Sequence, residues 1–156
     1  MPETRLSPWT PSQERAASVV IHLMTALNVW LYRLTGGRLG ARIGLGAPVC
    51  LVTTRGRRSG ASRTVALLYL RDGDRVVIVG SKGGMSHHPS WVLNLHADPR
   101  CEVQIGSERL TMRARTAEPE ERQALWPRLV AMYRDFANYQ DRTTREIPVI
   151  ICEPAH

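Results

Sequence analysis

The chain has 156 residues, with 21 Lys and Arg against 14 Asp and Glu, a formal charge of +7. That length supports one domain with a real core, and the basic excess implies an anionic partner: a phosphorylated coenzyme, nucleic acid or an acidic membrane surface. Aromatic residues make up only 6%, with a single Phe, which is poor material for base-stacking platforms and sets nucleic acid aside.

Pro2 to Pro11 reads as a loose arm with Trp9 as an anchor. Ser12 is suited to cap the helix that follows, Ser12–Leu34. Val20, Leu23, Leu27, Trp30, Leu31 and Leu34 recur on one face, and Gly36-Gly37 ends the run. No formal charge falls from Ala16 to Tyr32, a stretch short of the ~20 residues a membrane span needs. Arg33, Arg38 and Arg42 follow. This helix either packs on its own domain or lies on a membrane surface.

After Gly46 the period changes from helix to strand. Ala47–Thr54 and Ala61–Arg71 pair as a hairpin, Asp72-Gly73 turns the chain, and Arg75–Gly80 returns antiparallel. A glycine-rich loop, Ser81-Lys82-Gly83-Gly84, leads to a short helix, His88–His96, with Pro89 in its first turn and Ser86 as its cap. Cys101–Ile105 and Arg109–Arg115 form a further hairpin. Pro119 opens a helix running to about Tyr133, kinked or broken at Pro127, and Ile147–Cys152 is the final strand. About six strands and three helices, dominated by hairpins, close most naturally into a small antiparallel barrel with helices outside. Residues 1–35 form an arm and amphipathic helix, and 36–156 the barrel. Cys50, Cys101 and Cys152 are widely separated and lack a C-x-x-C pair, so no disulfide framework is expected and a reducing cytosol fits. The polar, proline-rich start shows no signal-peptide pattern.

The most informative segment is Thr53–Thr64. It carries Arg55, Arg57, Arg58 and Arg63 with Gly56 and Gly60, and no acid lies between Glu14 and Asp72. Convergent guanidinium forks suit a polyanion; the plainer reading is a solvated basic hairpin. Lys82 follows a strand joined to this loop by one hairpin, so both loops reach one barrel rim. His22, His87, His88 and His96 lack a ligand set, and no metal is expected. G-x-S-x-G, G-x-G-x-x-G and Walker patterns are all missing. Trp91 reads first as a core residue. Tyr133, Phe136 and Tyr139 read either as one buried helical stripe or as an aromatic wall over an apolar pocket.

The runs TTRGRRSGASR, LYLRDGDRVVIVGSKGG, HPSWVLNLHADP and LWPRLVAMYRDFANYQDRTTREIPVIICEP together resemble the deazaflavin (coenzyme F420)-dependent nitroreductase family of actinobacteria, over roughly Gly36 to Pro154. The resemblance implies a mainly β fold, a split antiparallel barrel of the FMN-binding kind with an N-terminal helix and two outer helices. It further implies an F420H2-dependent reductase acting on an activated C=C, quinone or nitroaromatic acceptor. A non-catalytic F420 carrier and a split-barrel binder of FMN or haem are its alternatives. Carried over by motif, the coenzyme's phosphate and tail fall on Arg57, Arg58, Ser59, Arg63 and Lys82. Thr64, Val65, Ala66, Leu67 and Leu68 run beside it. Val79, Gly80 and Ser81 approach the ring, and Ser90, Trp91 and Asn94 cover the ribityl chain and ring. Leu68, Tyr133, Phe136 and Tyr139 form the acceptor pocket, with Ser81 polarising the acceptor. The family carries tyrosines where Leu68, next to Tyr69, and Phe136 stand here; the loss of these phenolic donors favours ene- or quinone-reductase chemistry. The family's N-terminal helix implies peripheral contact with the inner face of the cell membrane for a cytoplasmic protein.

Overall fold

A computed structural model describes residues 6–38, 42–43 and 46–155, of Arg42 and Ile43 the backbone alone. Residues 1–5 of the arm and the Arg42 side chain therefore lie outside what is described. In chain order the elements are α1 (Pro11–Thr35), β1 (Arg42–Ile43), β2 (Ala47–Arg55), β3 (Ser62–Asp72), β4 (Arg75–Val79), α2 (Ser90–Ala97), β5 (Arg100–Ile105), β6 (Glu108–Thr116), α3 (Pro119–Met132), α4 (Asp135–Arg142) and β7 (Val149–Pro154). The antiparallel strands run in the order β1-β2-β3-β4-β7-β6-β5, and β5 pairs back onto β2. Strands β2 to β7 thus close a six-stranded barrel, and closure removes the sheet edges.

Successive side chains of a strand point to opposite faces, so a continuous apolar run makes both faces apolar. In β4, Val76 and Ile78 join the barrel interior with Cys50, Val52, Val103, Met112, Ile150 and Cys152. Val77 and Val79 face outward against Leu125, Leu129 and Phe136 of α3 and α4. Trp91, Val92 and Leu95 of α2 complete the interior cluster. On another outer patch, Val29 and Tyr32 of α1 pack against Val49 and Leu51 of β2. Each such side chain, taken fully out of water, contributes about 1.5–3 kcal/mol. The three cysteines are free and buried.

Several boundaries differ from the sequence reading for identifiable reasons. The cap of α1 is Thr10, not Ser12: its Oγ1 accepts the Gln13 N–H at 3.3 Å, and Gln13 Oε1 accepts the Thr10 N–H at 2.9 Å, a capping box with Pro11 at the first helical position. Helix α2 starts at Ser90, not His88, because a residue before proline disfavours the helical region; Pro89 is its extended cap. Pro127 does not break α3. Gln123 and Pro127 are both exposed, so water can take the carbonyl that proline leaves unpaired. A fourth helix, α4, follows because Tyr133 adopts an extended conformation (φ −146°, ψ 101°) and separates it from α3. The last strand begins at Val149, and the two-residue β1 was not foreseen.

Candidate active site

The β2–β3 connection closes on itself. The Gly56 N–H donates to Ala61 O at 2.8 Å, and the Gly60 N–H to Gly56 O at 2.8 Å. A Cβ on Gly56 would lie 2.9 Å from Ser59 Oγ, so the tight turn requires glycine. Asn94 of α2 pins the loop from below. Only 4% exposed, its Oδ1 accepts both the Arg57 N–H (3.1 Å) and Arg57 Nη1 (3.2 Å), while its Nδ2 donates to Thr54 Oγ1 (3.2 Å). Arg57, Arg58, Ser59 and Arg63 are exposed. Among the described residues no carboxylate lies within ion-pair distance of Arg57, Arg58 or Arg63. These cations are therefore available to an external anion, which is the donor chemistry a phosphate and a polycarboxylate tail require.

Strand β3 leaves this loop half-buried along Thr64–Leu70. Val65 and Leu67 turn into the barrel, Ala66 and Leu68 toward α1, and Leu68 also joins the α3–α4 cluster. Thr64 Oγ1 meets Thr53 Oγ1 at 2.8 Å and accepts from Arg33 Nη2 of α1 at 2.9 Å. With Tyr69 opposite Ile78, β4 runs back in the direction of the arginine loop and ends at Val79, level with the middle of β3.

There the Gly80–Pro89 segment presents Ser81 and Lys82, both half-buried. Lys82 has φ 43°, the one non-glycine residue with positive φ among those described. Its Nζ lies 2.7 Å from His87 Nε2. Burial lowers the Lys82 pKa; the Glu14 charge opposes this and the Arg145 charge adds to it. His88 is likewise lowered, first by burial and then by Arg145. Residues distant in sequence hold this segment. Trp9 Nε1 donates to Gly83 O at 2.8 Å, and Arg142 Nη1 donates to the same carbonyl at 3.2 Å with its guanidinium 4.6 Å from the Trp9 ring centre. Glu14 accepts from the Ser86 N–H (2.7 Å) and hydroxyl (3.0 Å), and its pKa is lowered chiefly by the backbone bond. Arg145 reaches Gly80 O, Ser81 O and Met85 O. Sequence reading named Trp9 as an anchor but missed Glu14, Arg142 and Arg145, whose partners lie 59–72 positions away.

The three aromatic residues form a wall, though not as one helical stripe. Tyr133 stands at the α3 terminus, while Phe136 and Tyr139 belong to α4. Phe136 is 4% exposed and meets the Tyr133 ring edge-on at 5.1 Å. The Tyr133 and Tyr139 hydroxyls are 3.2 Å apart. Burial first, then the Tyr139 hydrogen bond, raises the Tyr133 pKa and keeps the phenol protonated. Leu68 belongs to this cluster. Val79 and Gly80 are buried, Ser90 is exposed as the first residue of α2, and the Trp91 side chain is 5% exposed in the barrel interior. A groove of about 530 Å³ between α1 and this segment is lined by Pro11, Glu14, Arg15, Ser18, Val19 and His87. Another, of about 410 Å³, lies on α3 around Arg122 and Trp126 and adjoins neither loop. Among the described residues no group of three His, Cys, Asp or Glu is placed to hold a metal ion.

The model of the F420H(2)-dependent quinone reductase family matches residues 24–154. An F420H(2)-dependent quinone reductase of Mycobacterium tuberculosis is 38% identical over 126 residues, covering 78% of this chain and 83% of the relative. A second protein of that organism under the same family name is 43% identical over 117 residues, covering 75% and 98%. The solved F420-H2 dependent reductase FDR-A superposes with a TM-score of 0.64 at 42% identity, covering 68% of this chain and 94% of that one. A solved domain-swapped dimer gives a TM-score of 0.66 at 37% identity, covering 82% and 96%. A family match that spans both loops, and a relative 38% identical over most of both chains, show that the chain belongs to the F420H(2)-dependent quinone reductase family.

Proposed function

We propose that this F420H2-dependent oxidoreductase reduces a quinone-type acceptor held against the wall of Leu68, Tyr133, Phe136 and Tyr139. The observation that supports the reading is an arginine loop free of ion-paired acid, with β4 running back in its direction before the Lys82 segment. Reduced F420, when bound, supplies the hydride; the protein supplies position and electrostatics. Arg57, Arg58, Arg63 and Lys82, with the Ser59 hydroxyl, hold the anionic tail. Thr64, Val65, Ala66, Leu67 and Leu68 border the coenzyme. Val79, Gly80 and Ser81 line the ring, and Ser90, Trp91 and Asn94 support it from α2. The Ser81 hydroxyl polarises the acceptor by one hydrogen bond. Burial keeps Tyr133 a neutral phenol, a hydrogen-bond donor rather than a base. Leu68 and Phe136 offer no hydroxyl, which favours quinones and activated alkenes over nitro groups that need phenolic donors.

The test is an anaerobic titration with reduced F420 against quinones, enones and nitroaromatics, beside a variant in which Arg57, Arg58, Arg63 and Lys82 are neutralised. Each desolvated charge-assisted contact contributes roughly 1.5–3 kcal/mol, so loss of even one weakens coenzyme binding about tenfold or more. Unchanged affinity in the fourfold variant refutes the site. Coenzyme binding without turnover of any acceptor identifies a carrier instead.

Residues 1–35 serve, in this reading, as the part that addresses lipid, and 36–156 as the coenzyme-binding part of a cytoplasmic protein. Helix α1 is long and apolar enough to cross a membrane by length and composition, more so than the uncharged run alone implied. Val29 and Tyr32 nevertheless tie it to the barrel, while Val19, Val20, Ile21, Leu23, Met24, Leu27, Trp30 and Leu34 are 44–69% exposed. Such a face supports lying on an anionic leaflet rather than spanning it. Vesicles of anionic phospholipid at low salt should retain the full chain, and Leu23→Ser with Leu27→Ser should release it. No retention at low salt refutes lipid contact; a concentration-dependent dimer lost in the same variant assigns the face to a second copy.

A further inference from the structure

Arg145 is a half-buried guanidinium that Glu14 stabilises only from beyond ion-pair distance. Its Nη2 donates to Ser81 O at 2.7 Å, its Nε to Met85 O at 2.8 Å, and its Nη1 to Gly80 O at 3.2 Å, with His88 Nδ1 3.0 Å from Nη1. No carboxylate among the described residues lies within ion-pair distance of it. Removing an unpaired cation from water is costly, so a role in packing alone explains it poorly; a neutral side chain would fill the same space more cheaply. What the guanidinium does is gather three main-chain carbonyls from one short segment, Gly80 to Met85. Inside that span lies Lys82, a β-carbon-bearing residue held at φ 43°. Left-handed conformations at such residues persist only where the surroundings over-determine them, and they concentrate at ligand clamps.

We propose that Arg145 is a positioning residue: its planar fork fixes the Ser81–Lys82 segment so that the Ser81 hydroxyl and the Lys82 ammonium face the coenzyme together. This rests on the functional reading above. The fork geometry is essential to it, because a lysine ammonium at the same place carries the charge but is a single point donor rather than a plane of five N–H groups. Arg142 and Trp9 hold only the Gly83 carbonyl, so they cannot replace it.

The experiment compares Arg145→Lys and Arg145→Ala with Arg109→Gln, a charge control on β6 that is 61% exposed. Amide hydrogen exchange is read on the coenzyme-free proteins, affinity for oxidised F420 from the quenching of its fluorescence, and turnover with a soluble quinone. In both Arg145 variants exchange at residues 81–86 is expected to rise about tenfold while amides of β2 and β5 keep wild-type protection. The dissociation constant for F420 should rise about tenfold, near 1.4 kcal/mol, and kcat should fall while KM for the quinone stays within twofold. Methylguanidinium should restore affinity to Arg145→Ala but not to Arg145→Lys, and Arg109→Gln should match wild type. Wild-type exchange and affinity in a folded Arg145→Lys overturns the proposal, as does faster exchange at 81–86 with unchanged affinity and kcat. An affinity loss that accompanies faster exchange throughout the barrel also overturns it, since that is a stability effect. A wild-type protein that binds no F420 overturns the functional reading and the coenzyme role together; exchange at 81–86, which needs no coenzyme, still shows whether Arg145 holds the segment.

Discussion

Asn94 offers the sharpest perturbation of the arginine loop. Asn94→Ala removes an acceptor for the Arg57 N–H and Nη1 and a donor to Thr54, at a position 4% exposed. The exposed Arg57 guanidinium turns to water at little cost. The Arg57 N–H and the buried Thr54 hydroxyl are left without partners, at about 1 kcal/mol or more each, and the lost amide volume adds a small cavity term. The total is about 2–3 kcal/mol, equivalent to a fall in Tm of about 5–10 °C for a chain of this size. Asn94→Asp keeps both acceptor contacts, now charge-assisted, and the Thr54 hydroxyl can turn to donate; its loss should be less than half as large. Urea unfolding followed by Trp fluorescence measures the stability, and coenzyme titration of the folded variants measures the loop. Freed from α2, the loop of Asn94→Ala should bind F420 about tenfold more weakly. A change in unfolding free energy within about 0.5 kcal/mol refutes the pinning argument. A full stability loss with unchanged coenzyme affinity separates the loop's fold from its function and removes Asn94 from the site.

Tyr32→Phe should cost about 1–2 kcal/mol in urea unfolding, because the buried hydroxyl accepts the Gly106 N–H at 2.6 Å and ties α1 to the β5–β6 turn. Gly84→Ala should cost about 2–5 kcal/mol and slow coenzyme binding or abolish it: φ is +75°, and an added Cβ would lie 2.5 Å from Tyr139 O, so strain and overlap add; a thermal scan within 2 °C of wild type contradicts this. Glu121 accepts from Arg115 Nη1 at 2.6 Å and Nη2 at 2.9 Å, and from the Glu118 N–H at 3.0 Å. Arg115 first, then that backbone bond, lowers its pKa from 4.5 to about 2. A depressed carboxylate stabilises the fold while ionised, so its contribution is complete above its ordinary pKa and disappears as pH falls through about 2. Glu121→Gln should therefore be less stable than wild type near pH 6, and the difference should close between about pH 4.5 and 2; a gap that is constant with pH contradicts the ion-pair account.

The sequence by itself determined the local structure and the kind of ligand. The apolar runs of β2, β3, β4 and β7, the Asp72-Gly73 turn and the Gly36-Gly37 stop act over a few residues, so composition and spacing carry them. The concentration of Arg57, Arg58 and Arg63 without an acid marked a candidate anion site for the same reason, and the motif resemblance named the coenzyme. Only the tertiary structure decided how the site is held. Asn94 turns its amide to Arg57 across 37 positions, Arg145 reaches Ser81 O across 64, and Trp9 reaches Gly83 O across 74. The extended Tyr133 divides the aromatic wall between two helices, and β5 closes the barrel on β2. Each of these joins groups whose separation along the chain leaves no periodic trace. Their partners are mostly backbone carbonyls and N–H groups, which every residue carries and no sequence pattern marks; they become specific only when the closed barrel brings them within about 3 Å.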